Sequence, residues 1–169
     1  MLKGQDILVL LKLAGSPKDR SVRALASSLG LDVASVHRAL DRLEQARLVN
    51  AKRTVNRSNA EEFLIHGLKY QFPVRQGGLT RGRPTAWAAP PLDGEIAQVD
   101  EPPPIWPDPT GAVRGLAVLP LHDKAPAAAG NDPALAGQLA LIDAIRLGDG
   151  RIRSLASKKL AKTLKAKSG

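Results

Sequence analysis

At 169 residues the chain is long enough for one domain with a core plus an appendage, but too short for two large domains. It has no cysteine, which excludes a disulfide framework, a thiolate metal site and a cysteine nucleophile, and its 3% aromatic content favours helices packed through aliphatic ridges over a sandwich or barrel. The net charge of +9 is segregated: residues 1–59 carry +6, residues 60–92 carry +2, residues 93–150 carry −6 and residues 151–169 carry +7, so basic ends flank an acidic middle, as expected where two basic surfaces meet phosphates.

The first element is an apolar run from Gly4 to Leu13, closed by Gly15-Ser16-Pro17. Asp6 lies at its start, Lys12 interrupts it and no small-residue cleavage site follows, so it reads as a helix rather than a secretion signal. No stretch reaches the roughly 18 uncharged apolar residues of a membrane span, and a reducing cytoplasm fits, with the protein on the nucleoid. Ser21 then caps a helix with Val22, Leu25, Ala26 and Leu29 on one face, and Gly30 ends it. Asp32 caps the next helix, which buries Val33, Val36, Leu40 and Leu43 and runs to about Arg47, before Leu48-Val49 begins an extended segment. Helix, tight glycine turn, helix and short strand is the layout in which the second helix of the pair enters the major groove of DNA.

The string SVRALASSLGLDVASVHRALDRLEQARLV (21–49) resembles the helix-turn-helix of winged-helix regulators of the MarR and Lrp type. Leu25-Ala26, Leu29-Gly30-Leu31, Val36, Arg38-Ala39-Leu40, Leu43-Glu44 and Leu48-Val49 carry the resemblance, which covers about a third of the chain. It implies a winged-helix DNA-binding domain whose recognition helix starts after Asp32. Arg47 departs from the pattern, since such sequences often have glycine before the Leu-Val pair, and no clear hairpin follows at once.

Further along, Asn56 to Asn59 offers caps for a helix, AEEFLIHGLKYQF (60–72), that buries Phe63, Leu64, Leu68 and Phe72, with His66 packed on its inner side and Pro73 closing it. Gly77-Gly78 marks a turn, and residues 85–89 read as a strand. If that strand pairs with residues 48–51, the fourth helix is an insertion and the loop around Arg81 takes the place of the wing. Prolines crowd Ala89 to Gly111, excluding helix and favouring an extended path, a linker or wrapping arm that partly packs through Ile105 and Trp106. Asp132-Pro133 opens another helix with Leu135, Leu139, Ile142 and Ile145 on one face. A basic amphipathic helix begins near Asp149 with Ile152, Leu155, Ala156, Leu160 and Leu164 as its stripe; a dimer or core contact suits that stripe, with DNA phosphates as second partner.

On the recognition helix, Ala34, Ser35, His37, Arg38, Asp41 and Arg42 lie opposite the buried face. Ser35 and His37 come early, where base edges are reached; Arg38 can pair with guanine or grip phosphate, and Arg42 meets the backbone. Lys52, Arg53 and Arg57 follow as contacts to flanking phosphates, and Ser21 at the preceding helix start is counted with the DNA-facing residues. Thr80-Arg81-Gly82-Arg83-Pro84 resembles the core of an AT-hook, which implies that Arg81 and Arg83 enter the minor groove of A·T-rich DNA.

No Gly-x-Ser-x-Gly elbow, phosphate-binding loop or metal-spaced histidine pair occurs, and His37, His66 and His122 are isolated, so neither an enzyme nor a metal or cofactor site is expected. The resulting expectation is a mainly α protein. It has a winged helix-turn-helix domain over 1–92, an acidic proline-rich linker or arm over 93–131, and a helical dimerisation region with a basic tail over 132–169. The function expected is sequence-specific transcriptional regulation, as a dimeric repressor on double-stranded DNA with no membrane association. The rivals are an antitoxin-type autorepressor that binds a partner protein through the acidic middle, and an architectural DNA-binding protein resembling linker histone.

Overall fold

A computed structural model describes residues 1–96 and 101–166. Helix α1 (Gly4–Ala14) is buried on every side, with Ile7, Leu8, Val9, Leu10 and Leu11 wholly covered. A helix that is apolar all round can only be a core element, and α1 packs against α2 (Val22–Leu29) and α3 (Val33–Gln45) as well as against α7 (Pro133–Leu147). The expected caps are in place: the Ser21 hydroxyl accepts from the Ala24 N–H (3.1 Å), Asp32 from Ser35 (2.7 Å) and Asp132 from Leu135 (3.1 Å). Gly30 ends α2 in the left-handed region (φ 69°), a conformation glycine adopts without a Cβ clash.

The wing follows α3 at once, so the displaced wing considered as an alternative is not formed. Val49 and Val55 form a single antiparallel bridge around a five-residue turn, in which the Asn50 side chain accepts from the Lys52 and Thr54 N–H groups. The side-chain amide organises this turn, so it escapes a search for alternating apolar strands. Next come α4 (Arg57–Glu62), a π turn (Phe63–Gly67) and α5 (Leu68–Gln71) in unbroken succession. Leu64 and Leu68 are fully buried, whereas the extra residue of the π turn leaves His66 exposed rather than packed inside.

The proline-rich middle is folded. Strands β1 (Leu79–Pro84), β2 (Pro104–Pro107) and β3 (Val113–Ala117) close into a three-stranded barrel, with β1 antiparallel to both others and β2 parallel to β3. Proline survives here because it stands at strand ends, where a missing N–H leaves no gap in the ladder. Ile105 fills the barrel, and a Cβ on Gly82 or Gly115 would strike it at 2.7 and 2.9 Å, so the interior has room only for hydrogen at those positions. Thr85 lies beyond β1, and residues 86–88 form a 3-10 turn rather than a strand. β1 therefore pairs with β2 and β3 and not with residues 48–51, which removes the displaced-wing topology.

Helices α6 (Ala125–Gly130), α7 and α8 (Gly150–Ala166) complete the fold. The apolar stripes expected to join two subunits are covered within the chain: Leu135, Leu139, Ile142 and Ile145 on α7 and Ala156, Leu160 and Leu164 on α8 belong to the same core cluster as α1. Burying a Leu or Ile is worth roughly 1.5–3 kcal/mol whichever surface covers it, and here α1, the 3-10 turn at residues 86–88 and α4 do so first. Lys167, counted in the basic tail, lies outside the described residues.

A polar cluster seals the barrel to the helices. The Asp143 carboxylate on α7, almost wholly buried, accepts from the Thr85 hydroxyl (2.6 Å), the Trp106 indole N–H (2.8 Å) and Arg146 (3.0 Å), while Arg146 also donates to the Phe72 carbonyl (2.8 Å). Burial pushes the Asp143 carboxyl above its ordinary range and the Arg146 guanidinium below its own, and the donors around Asp143 and the charge of each partner oppose those shifts.

Candidate nucleic-acid interface

The face of α3 opposite its buried residues is open to solvent at Ala34, His37, Arg38 and Asp41. Val33, expected in the core, is 46% exposed because it sits in the first turn, beyond the reach of α1. Ser35 is 9% exposed, and its hydroxyl donates to the Asp32 carboxylate (2.7 Å) while accepting from Arg38 Nη2 (3.2 Å). These bonds to Ser35 hold the Asp32 carboxyl below its ordinary value of 3.8. Asp32, Ser35 and Arg38 thus form one chain of hydrogen bonds along the first turns of α3. Ser35 is not placed to read a base; it orients the arginine that projects beside His37.

Three of the expected phosphate contacts are engaged inside the fold. Arg42 makes a two-pronged pair with Asp6, Nε to Oδ2 at 2.7 Å and Nη2 to Oδ1 at 2.8 Å, and Asp6 is completely buried at the start of α1. These hydrogen bonds to Asp6 raise the Arg42 pKa above its ordinary value. Arg57 donates to the carbonyls of Ala14 (3.2 Å) and Leu164 (3.1 Å) and to the Ser16 hydroxyl (3.2 Å), joining α4 to α1 and α8. Arg53, at φ 63° in the wing turn, donates to the Arg20 carbonyl (2.9 Å) and fastens the wing to the loop before α2. Lys52 remains exposed at the wing tip, and Ser21 is exposed with its hydroxyl committed to the helix cap. A crevice of about 110 Å³ lies between α3 and the wing, lined by His37, Asp41, Asn50 and Arg53 among others, and it brings together residues that sequence separates.

Arg81 and Arg83 lie on β1, whose backbone pairs with a strand on each side. Gly82 is buried in the barrel, and Arg83 forms an ion pair with Asp108 (3.4 Å). An AT-hook needs a free backbone that can sink into a narrow groove, and this backbone is already hydrogen-bonded; the minor-groove reading of Arg81-Gly82-Arg83 is therefore corrected. Lys124 was missed. It is exposed at the start of α6, with its stem 3.9 Å from where a Cβ on Gly30 would lie, beside the turn between α2 and α3. Nothing local in the sequence signals this, because the chain folds back over more than 90 residues to place it.

The acidic middle is not a single surface either. Glu95 pairs with Lys159 (2.8 Å), Asp108 with Arg83 and Asp132 with Lys12 (2.7 Å), so these three acids meet bases from other parts of the chain, while Asp143 pairs with Arg146 on its own helix. Among the described residues no group of His, Cys, Asp or Glu is arranged to hold a metal ion, and no helix is long and apolar enough to cross a membrane.

A helix pair joined by a left-handed glycine turn, with a second helix that exposes His37 and Arg38 and a wing immediately after it, defines the winged helix-turn-helix class of DNA-binding domain. Residues 2–57, from before α1 through the wing to the start of α4 and about a third of the chain, match the model of the MarR family. The match supports a winged helix-turn-helix DNA-binding segment of this type within residues 2–57. A comparison with curated proteins and one with solved structures each returned no match.

Proposed function

We propose that the protein is a repressor that binds a palindromic operator as a dimer, with α3 of each copy in the major groove and His37 and Arg38 as the base-reading side chains. The observation that carries this reading is the Asp32–Ser35–Arg38 chain, which holds the exposed guanidinium of α3 near the start of the helix, the end that reads base edges in helix-turn-helix proteins, while Arg42 is retained by Asp6. Lys52 on the wing and Lys124 beside the α2–α3 turn supply phosphate contacts that set register without reading sequence. Two copies place their recognition helices about one turn of DNA apart, or a multiple of it.

Footprinting on the DNA upstream of the protein's own gene tests this directly. A protected palindrome is expected, and His37→Ala with Arg38→Ala should remove the footprint at a cost of about 1–3 kcal/mol per lost base contact, while the far-UV circular dichroism stays that of the wild type. If the double variant protects the same palindrome as strongly, α3 is not the reader. Light scattering should give the mass of two chains on the operator; one chain per operator would remove the dimer.

A further inference from the structure

The outer face of the barrel carries an electrostatic arrangement that the fold does not explain. Arg81 of β1 and Arg114 of β3 are direct cross-strand partners in an antiparallel pair, so their side chains leave the same face, and both are exposed. Residues opposite one another in such a pair have Cβ atoms only about 4.5–5.5 Å apart, and like charges there destabilise the sheet. Among the described residues neither guanidinium has an acidic partner, although Arg83, two positions along the same strand, has Asp108. The next pair on the same face is Leu79 and Leu116, with Leu79 53% exposed. A repulsive pair held side by side on a closed, rigid barrel is an arrangement whose cost an anion between the two forks would relieve, since a guanidinium matches phosphate with paired N–H donors.

The barrel also stands next to the helix-turn-helix. Arg83 Nη1 lies 3.4 Å from where a Cβ on Gly130, the last residue of α6, would be, and α6 packs on α2 with Lys124 at its start beside Gly30. Six residues of helix span about 9 Å, so the length of α6 alone separates Arg83 from Lys124 beside the α2–α3 turn, a short distance against the roughly 34 Å of one turn of DNA. We propose that Arg81 and Arg114 form a two-pronged clamp on the phosphate backbone of duplex DNA flanking the segment read by α3. The proposal rests on α3 being the DNA reader, and it replaces minor-groove insertion by Arg81 with a sequence-independent grip shared between two strands.

The test uses the full chain and a random-sequence duplex of about 30 base pairs, three helical turns, because a phosphate clamp needs no operator. Affinity is measured by anisotropy between 50 and 200 mM salt for the wild type, Arg81→Gln/Arg114→Gln and Arg114→Glu. Loss of two phosphate contacts should flatten the slope of log K against log salt by about 1.8, so the advantage of the wild type over the glutamine variant should shrink about tenfold across that range. Arg114→Glu places an acid opposite Arg81, and it should raise Tm while weakening the DNA complex; that opposition separates a binding pair from a merely structural one. Equal salt slopes in wild type and variants overturn the clamp and leave the reading of α3 standing. A wild type without salt-dependent DNA binding overturns both. If the pair retains polyglutamate while the duplex slope is unchanged, the face belongs to an acidic polypeptide and the clamp falls.

Discussion

Arg47 occupies a position that glycine usually fills. Its φ is 61°, and the backbone there closes α3 in a Schellman arrangement, with the Arg47 N–H bonded to the Glu44 carbonyl (2.9 Å) and the Leu48 N–H to the Leu43 carbonyl (2.9 Å). Gly30 ends α2 by the same left-handed turn at no steric cost, whereas a side chain in that region costs about 1–2 kcal/mol. Arg47→Gly should therefore stabilise the protein by about 0.5–1 kcal/mol, the relief being partly offset by the greater freedom of glycine in the unfolded chain. Thermal unfolding checks this; a lower Tm for the variant would mean that the Arg47 side chain, which is exposed, contributes more than its backbone strain. The departure from the family pattern at this position was legible in the sequence, and the turn it marks keeps its usual form.

Between elements, the pair of Asp6 and Arg42 joins α1 to the recognition helix. Asp6 is wholly buried and also accepts from the Lys3 N–H (2.8 Å), so removing Arg42 alone strands a carboxylate in the core. Arg42→Met should cost about 3–5 kcal/mol, while Asp6→Leu with Arg42→Met should recover most of it, because replacing both members of a buried pair by apolar groups is often neutral. Urea unfolding of the two variants decides: equal losses would show that Arg42 is not held by Asp6 in solution. Helical periodicity places Arg42 correctly opposite the main apolar face, yet it says nothing of which neighbour stands there. An acid in the first turn of α1 and a base in the last turns of α3 are 36 residues apart, and only packing brings them together. The same holds for Arg57, which reads from the sequence as a contact to flanking phosphate but bridges α1 and α8.

Across the whole molecule, Asp143 is the point at which barrel, α5 and α7 meet. Asp143→Ala would leave the Thr85 hydroxyl, the Trp106 indole and the Arg146 guanidinium without their shared acceptor, and a buried cation without its partner costs about 3–5 kcal/mol. We expect a correspondingly lower urea midpoint together with a red shift of tryptophan emission as Trp106, 6% exposed in the wild type, is reached by water. Unchanged emission and midpoint would mean that the barrel is held by its apolar contacts alone. Sequence by itself determined the helix pair, its glycine turn, the caps at Ser21, Asp32 and Asp132, the starts of α7 and α8 and the outward face of His37 and Arg38. These are properties of one residue or one helical period, so they are written locally. Tertiary structure alone decided that the prolines bound strands of a closed barrel, that the stripes of α7 and α8 are covered within the chain, and that Arg42, Arg53 and Arg57 hold the fold together. An apolar stripe or a charge specifies only that it needs a partner, and which partner it meets depends on every other element competing for the same surface.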